Sequence, residues 1–152
     1  MIEIFADGCS LGNPGKSGIG IVIYEDKRKV KELCFYIGET TNNVAEYFAL
    51  ILSLAECLYK KYKTVDIYMD SKLIVEQVNG TFKVKNKNLY TLNFLAKYFI
   101  SLLKKVNLHF TAREDNKLAD SLAKKGAKKG AFTNKFFLPE IKGGIDSRLA
   151  AE

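Results

Sequence analysis

Four acids sit where a carboxylate can do chemistry. Asp7 closes the apolar stretch Ile2 to Ala6, and Asp70 closes the β-prone stretch Thr64 to Met69. Glu46 falls in the first turn of a predicted helix, and Asp120 lies near the start of the last one. Singly, each has an ordinary explanation. Asp and Gly are common turn residues, and a carboxylate in a first helical turn is favoured by the helix dipole. Together they say more, because two strands ending in Asp can lie side by side, and ligand sites in α/β sheets form beyond strand ends. Four gathered carboxylates would repel one another and hold protons unless cations were present. Hard oxygen donors of this kind suit Mg²⁺ or Mn²⁺, not zinc. A pair of such ions roughly 3.5–4 Å apart can activate a water and stabilise the leaving oxygen in phosphodiester hydrolysis.

The elements that must carry these acids can be read from periodicity. Ile2 to Ala6, Gly18 to Tyr24 and Val30 to Ile37 read as three consecutive antiparallel strands. The glycine-rich stretch Gly8 to Gly15 reads as a break after the first. A helix is expected from about Asn43 to Lys60, capped by Thr41, Asn42 or Asn43, with Ala45, Phe48, Ala49, Leu52, Ala55 and Tyr59 on its buried face. Thr64 to Met69 is a fourth strand, followed by a short helix from Ser71 to Val78 with Leu73, Ile74 and Val78 apolar. The basic loop Lys83 to Asn88 leads to a long helix, Leu89 to Lys105, with Leu92, Leu95, Ala96, Phe99 and Leu103 inward. Asn107 to Ala112 is the last strand. Asp115 or Asn116 caps a final helix to about Lys129, with Leu118, Leu122 and Ala123 inward. The order β-β-β-α-β-α-α-β-α implies an α/β fold: a five-stranded mixed sheet, three antiparallel strands plus two parallel additions, flanked by helices.

At 152 residues, 47% hydrophobic and 27% charged, the chain has the composition of one soluble globular domain. The catalytic unit is expected over 1–130. The extension 131–152 is expected to dock partly through Phe132, Phe136, Phe137 and Leu138, with a loose tail from Lys142 to Glu152. A net charge of +7 favours a polyanionic partner. No apolar run reaches membrane-spanning length, and no signal peptide is evident at the N-terminus. Cys9, Cys34 and Cys57 are odd in number and widely spaced, as free thiols in a reducing compartment would be. A cytoplasmic monomer without membrane attachment is therefore expected.

Asp7-Gly-Cys-Ser-Leu-Gly-Asn-Pro-Gly15, Thr40-Thr-Asn-Asn-Val-Ala-Glu46, Asp70-Ser71 and Arg113-Glu-Asp-Asn-Lys-Leu-Ala-Asp120 closely resemble the four motif blocks of type 1 ribonuclease H, in the family's order and spacing. The resemblance implies a ribonuclease H-like fold. It also implies two-metal hydrolysis of the RNA strand of RNA–DNA hybrids, leaving 5′-phosphate and 3′-hydroxyl ends. By resemblance Asp7, Glu46, Asp70 and Asp120 are the metal-binding catalytic acids, holding two Mg²⁺ ions, with Mn²⁺ as substitute. Cys9, Asn13, Asn42 and Asn43 match positions that hold the hybrid, and Thr41 matches part of a phosphate pocket. Ser71 joins them as a substrate-side residue. Cys9, Asn13, Asn42 and Asn43 equally suit local turns or caps.

Two departures from the family pattern stand out. Many bacterial members carry a mobile His before the last acid, whereas the one histidine here, His109, falls within a strand and reads as structural. Arg113 at that strand's end is the expected substitute, contacting a phosphate or forming a surface ion pair. The extra basic helix of many members is also missing, leaving Gly80 to Leu89, as in the compact archaeal and plant-like branch. Lys83, Lys85 and Lys87 either touch phosphates or form a solvated turn. The first Met directly before the first strand fits a free-standing enzyme. Activity on double-stranded RNA, and a catalytically weak hybrid- or double-stranded-RNA-binding module, are the alternatives.

Overall fold

The computed structural model describes residues 1–131; the expected docking of Phe132, Phe136, Phe137 and Leu138 and the expected loose tail lie outside them. In chain order the elements are β1 (Ile2–Leu11), β2 (Gly15–Glu25), β3 (Arg28–Thr40), α1 (Asn42–Lys60), β4 (Thr64–Met69), α2 (Lys72–Asn79), α3 (Lys87–Ser101), β5 (Lys105–Phe110), a 3₁₀ turn at Arg113–Asp115 and α4 (Lys117–Lys129). The sheet order is β3-β2-β1-β4-β5. β1, β2 and β3 pair antiparallel, while β4 joins β1, and β5 joins β4, in parallel. The expected order and the expected mixed sheet are both present.

Strand alternation divides the molecule into two cores. Ile4, Ala6, Ile19, Ile21 and Ile23 face α1 and join its buried residues in the main cluster. Phe5, Val22 and Tyr24 face the other way and meet Ala119 and Leu122 of α4 in a smaller one. α1 is covered on two sides, by the sheet and by α3. Its buried set is therefore wider than the single expected stripe: Tyr47, Leu50, Ile51, Ser53, Leu54, Glu56 and Cys57 are buried with Ala45 and Ala49, whereas Tyr59 is exposed. Leu118, expected inward, is also exposed, as is Leu73, one of the apolar positions of the short helix. Each stands one residue, about 100° of helix rotation, off the face that packs: Ile74, Val75 and Val78 in α2, and Ala119, Leu122, Ala123, Gly126 and Ala127 in α4.

A second correction concerns β1, which does not stop at Ala6. The β1–β2 ladder runs on through Asp7, Gly8 and Cys9 to the pair Leu11–Lys16. Turn-forming residues are held extended there because β2 supplies partners for their backbone groups. The parallel ladder to β4 does end at the pair Ala6–Met69. From that point β1 continues without its β4 neighbour, and the sheet opens.

Candidate active site

The opening lies where the acids meet. Because Ala6 pairs with Met69, Asp7 and Asp70 are the next residues on two adjacent parallel strands. Glu46 arrives from α1. Its approach depends on Gly8, where a Cβ would stand 2.2 Å from the Ala45 carbonyl carbon and 2.5 Å from the Glu46 nitrogen. No side chain fits, so the first turn of α1 rests on the strand backbone. One carboxylate oxygen each from Asp7, Glu46 and Asp70 lie within 4.8 Å of one another.

Asp120 comes from α4 and stands close enough to Asp7 to push its carboxyl up. It is not part of the three-acid cluster. Its Oδ2 accepts a hydrogen bond from Lys124 Nζ one turn on, at 2.8 Å. The expected set is thus three acids gathered and a fourth at the rim, held by Lys124.

Burial and mutual repulsion set the charge state. Asp7 is 4% exposed. Desolvation, partly offset by its hydrogen bond with Glu46 and reinforced by the charges of Asp70 and Asp120, pushes its carboxyl up to about 7. Glu46 is held well above the usual carboxylate range, first by burial, then by the charge of Asp7 and their shared hydrogen bond, although the Gly8 N–H favours its ionised form. Glu46 Oε2 is buried with no hydrogen-bond partner. Protons and orphaned oxygens in an all-carboxylate cluster are what a divalent cation would replace, so these residues fit hard metal ions.

The expected substrate-side residues fall into groups. Thr41 caps α1, its Oγ1 accepting from the Val44 N–H at 3.3 Å, and Ser71 caps α2, accepting from Ile74 at 3.4 Å. Asn42 Oδ1 accepts from the Ser10 N–H at 2.7 Å, and the Asn42 N–H donates to Asn13 Oδ1 at 2.9 Å. These bonds tie the β1–β2 hairpin to the start of α1. Cys9 sits half-buried beside the acids, and burial with the nearby Asp7 and Asp120 charges pushes its thiol up to about 11. Asn43 is set apart, lining a groove with Phe82, Lys83 and Lys85. Arg113 is exposed, with Nε 3.8 Å from Asp70 Oδ2. His109 stacks on Tyr68 and contacts Asp66 at 2.9 Å, and none of its side-chain contacts is with the four acids.

One residue near the site was misread from sequence. Asn116 stands at the start of α4 but makes no side-chain cap. Its Nδ2 instead donates to Ala6 O at 3.1 Å, fastening the segment before Asp120 to β1 next to Asp7.

The family profile described as Reverse transcriptase-like matches residues 5–126. A ribonuclease HI of Haemophilus ducreyi is 32% identical over 140 residues, covering 83% of this chain and 90% of that protein. The chain belongs to the ribonuclease H family. LC11-RNase H1, solved in complex with an RNA/DNA hybrid, superposes with a TM-score of 0.79 at 38% identity, covering 85% of this chain and 98% of that one. The bifunctional protein Rv2228c of Mycobacterium tuberculosis is 39% identical over 124 residues, 80% of this chain. That match spans only 34% of the length of Rv2228c. Within the ribonuclease H fold, the open end of the β1–β4 pair is where this chain gathers its acids.

Proposed function

We propose that this chain is an endonuclease that hydrolyses the RNA strand of RNA–DNA hybrids by a two-metal-ion reaction, giving 5′-phosphate and 3′-hydroxyl ends. The observation that carries the reading is the convergence of Asp7, Glu46 and Asp70 within 4.8 Å, with Asp120 beside Asp7. Asp7, Glu46, Asp70 and Asp120 would hold Mg²⁺, with Mn²⁺ as substitute. When bound, such a pair activates a water and stabilises the leaving oxygen. The carboxylates fix the reaction centre at the sheet opening, and burial of Asp7 and Glu46 keeps bulk water from competing for it.

The other residues orient the duplex. The backbone of the hairpin and of the α1 start, tied by Asn13 and Asn42, offers N–H groups and short polar side chains to sugar and phosphate oxygens. The wide, shallow minor groove of an A-like hybrid displays the 2′-hydroxyls that mark the RNA strand. Cys9, Thr41 and Ser71 border this path, and Asn43, in the neighbouring groove with Lys83 and Lys85, would extend it. The exposed Arg113 guanidinium, leaning toward Asp70, is placed to meet a phosphate entering the site. Residues 1–130 form the catalytic unit. The free thiols of Cys9, Cys34 and Cys57 support a cytoplasmic setting. Among the described residues no helix is long and apolar enough to cross a membrane.

The test compares cleavage of hybrid, double-stranded RNA and double-stranded DNA under Mg²⁺ and Mn²⁺. Cleavage confined to the RNA strand of the hybrid is expected. Asp70→Asn should lose cleavage while still binding hybrid, and full activity in that variant would sink the assignment.

A further inference from the structure

At the end of the sheet opposite the acids, the turns before β4 and β5 enclose a cleft of about 460 Å³. Leu58, Tyr62, Leu102 and Leu103 form its apolar floor, and Leu102 is 53% exposed. Lys61, Lys63 and Lys104 form its rim. The Lys105 N–H donates to Lys63 O at 3.0 Å, locking the two turns together, so the cleft is preformed. The floor's one hydroxyl, on Tyr62, is already committed to Glu25. None of the three rim lysines has an ion-pair partner among the described residues.

Lysines often follow helix ends because they complement the dipole, and Lys61 caps α1. That accounts for charge near the helix end. It does not account for an exposed leucine lining the same cleft as three lysines.

We propose that this cleft docks an acidic peptide segment of a partner protein, with apolar side chains seated on Leu58, Leu102 and Leu103 and carboxylates on Lys61, Lys63 and Lys104. A nucleic-acid duplex, whose bases are stacked inside, would offer the cleft its charged backbone but no apolar group to fill the floor. The cleft also lies a full strand away from the acids, since the six residues of β4 span about 20 Å. A peptide held there leaves the open end of the sheet free, so docking and hybrid cleavage are separable.

The experiment measures fluorescence anisotropy of a labelled octapeptide, six acidic residues followed by leucine and phenylalanine, with the full chain. Saturable binding is expected, weakened about tenfold or more by the double variant Lys63→Glu/Lys104→Glu and by replacing the peptide's last two residues with serine. Leu102→Ala should weaken it too, while melting temperature and hybrid cleavage stay unchanged. Equal affinity of wild type and the double variant would overturn the proposal. So would an oligothymidylate that binds the cleft as tightly as the peptide. Binding that emerges only after Phe136, Phe137 and Leu138 are changed to serine would give the cleft to the chain's own tail, and would overturn it as well.

Discussion

Asp7 pairs with Gly20 across the β1–β2 ladder, and the space above Gly20 is filled by α4. A Cβ at Gly20 would stand 2.2 Å from the carbonyl oxygen of Ala119, the residue before Asp120. The absence of one side chain in β2 thus brings the fourth acid down onto the first. Gly20→Ala must lift α4 or bend the strand, at a cost of about 1–3 kcal/mol, as for other overpacked sites. Cleavage should fall further than that loss of stability explains, because Asp120 moves away from Asp7. Thermal melting together with the Mg²⁺ dependence of the rate would separate the two effects. An active variant with an unchanged metal requirement would contradict the link.

Asp7 also makes the metal-free protein pH-sensitive. Its folded pKa, about 7, lies above the ordinary carboxylate value of 3.8. Below that ordinary value both states are protonated and nothing is lost. As pH rises toward about 7, the unfolded chain gives up the proton first, so the contribution of Asp7 to stability falls, and above about 7 the loss is complete. Asp7→Asn, which cannot ionise, should therefore gain on wild type with rising pH in EDTA. The gain should be on the order of 4 kcal/mol at pH 8, about 1.4 kcal/mol for each pH unit between 3.8 and about 7, and vanish below about pH 3. Added Mg²⁺ should reverse the order, since cation binding stabilises only the ionised site. Denaturant melts at the two pH values, with and without metal, read the effect directly.

How far the sequence reveals this site depends on which residues are considered. The strand–acid endings at Asp7 and Asp70 and the helix start before Glu46 follow from periodicity, because each lies at the end of a long, one-sided apolar pattern. The closeness of the acids does not. It rests on Gly8 and Gly20, which read as turn or strand-weakening residues, although their lack of a side chain admits a helix backbone. Polar residues inside apolar runs are equally opaque. Glu56 is fully buried against Lys31, and Tyr47 donates to Gln77 while accepting from Asn93, yet each reads as ordinary helix surface or filler. Only tertiary packing of α1 between the sheet and α3 decides those positions. Asn116 shows the same limit, since local rules make it a cap and its contact with Ala6 is 110 residues distant in sequence.

His109 should be dispensable for cleavage. Its ring stacks on Tyr68 and meets Asp66, whose carboxyl is held below its usual range first by the His109 hydrogen bond and then, against the cost of burial, by Asn107. A depressed folded pKa adds stability above the unfolded value, and that stability is lost as acid protonates Asp66. The pair is partly exposed, so His109→Ala should cost no more than about 1 kcal/mol at neutral pH. The gap to wild type should narrow in acid, and kcat should be unaffected. A collapse of kcat with normal folding would instead give His109 a role in the reaction.

Asn42 is the residue at which the local and the substrate-contact readings can be separated. Its Oδ1 accepts the Ser10 N–H, and its side chain stands at the start of α1. Asn42→Asp keeps an acceptor at that position and places a carboxylate where the helix dipole favours one, so folding should be preserved. The same change sets a negative charge beside the path proposed for the hybrid backbone. Hybrid affinity should drop several-fold, more steeply at low salt, where phosphate repulsion is least screened. The melting temperature should stay close to wild type. Binding isotherms at two salt concentrations decide between the readings. An unchanged affinity would leave Asn42 as a purely local tie between hairpin and helix, and the contact with the duplex would then fall to the backbone it holds in place.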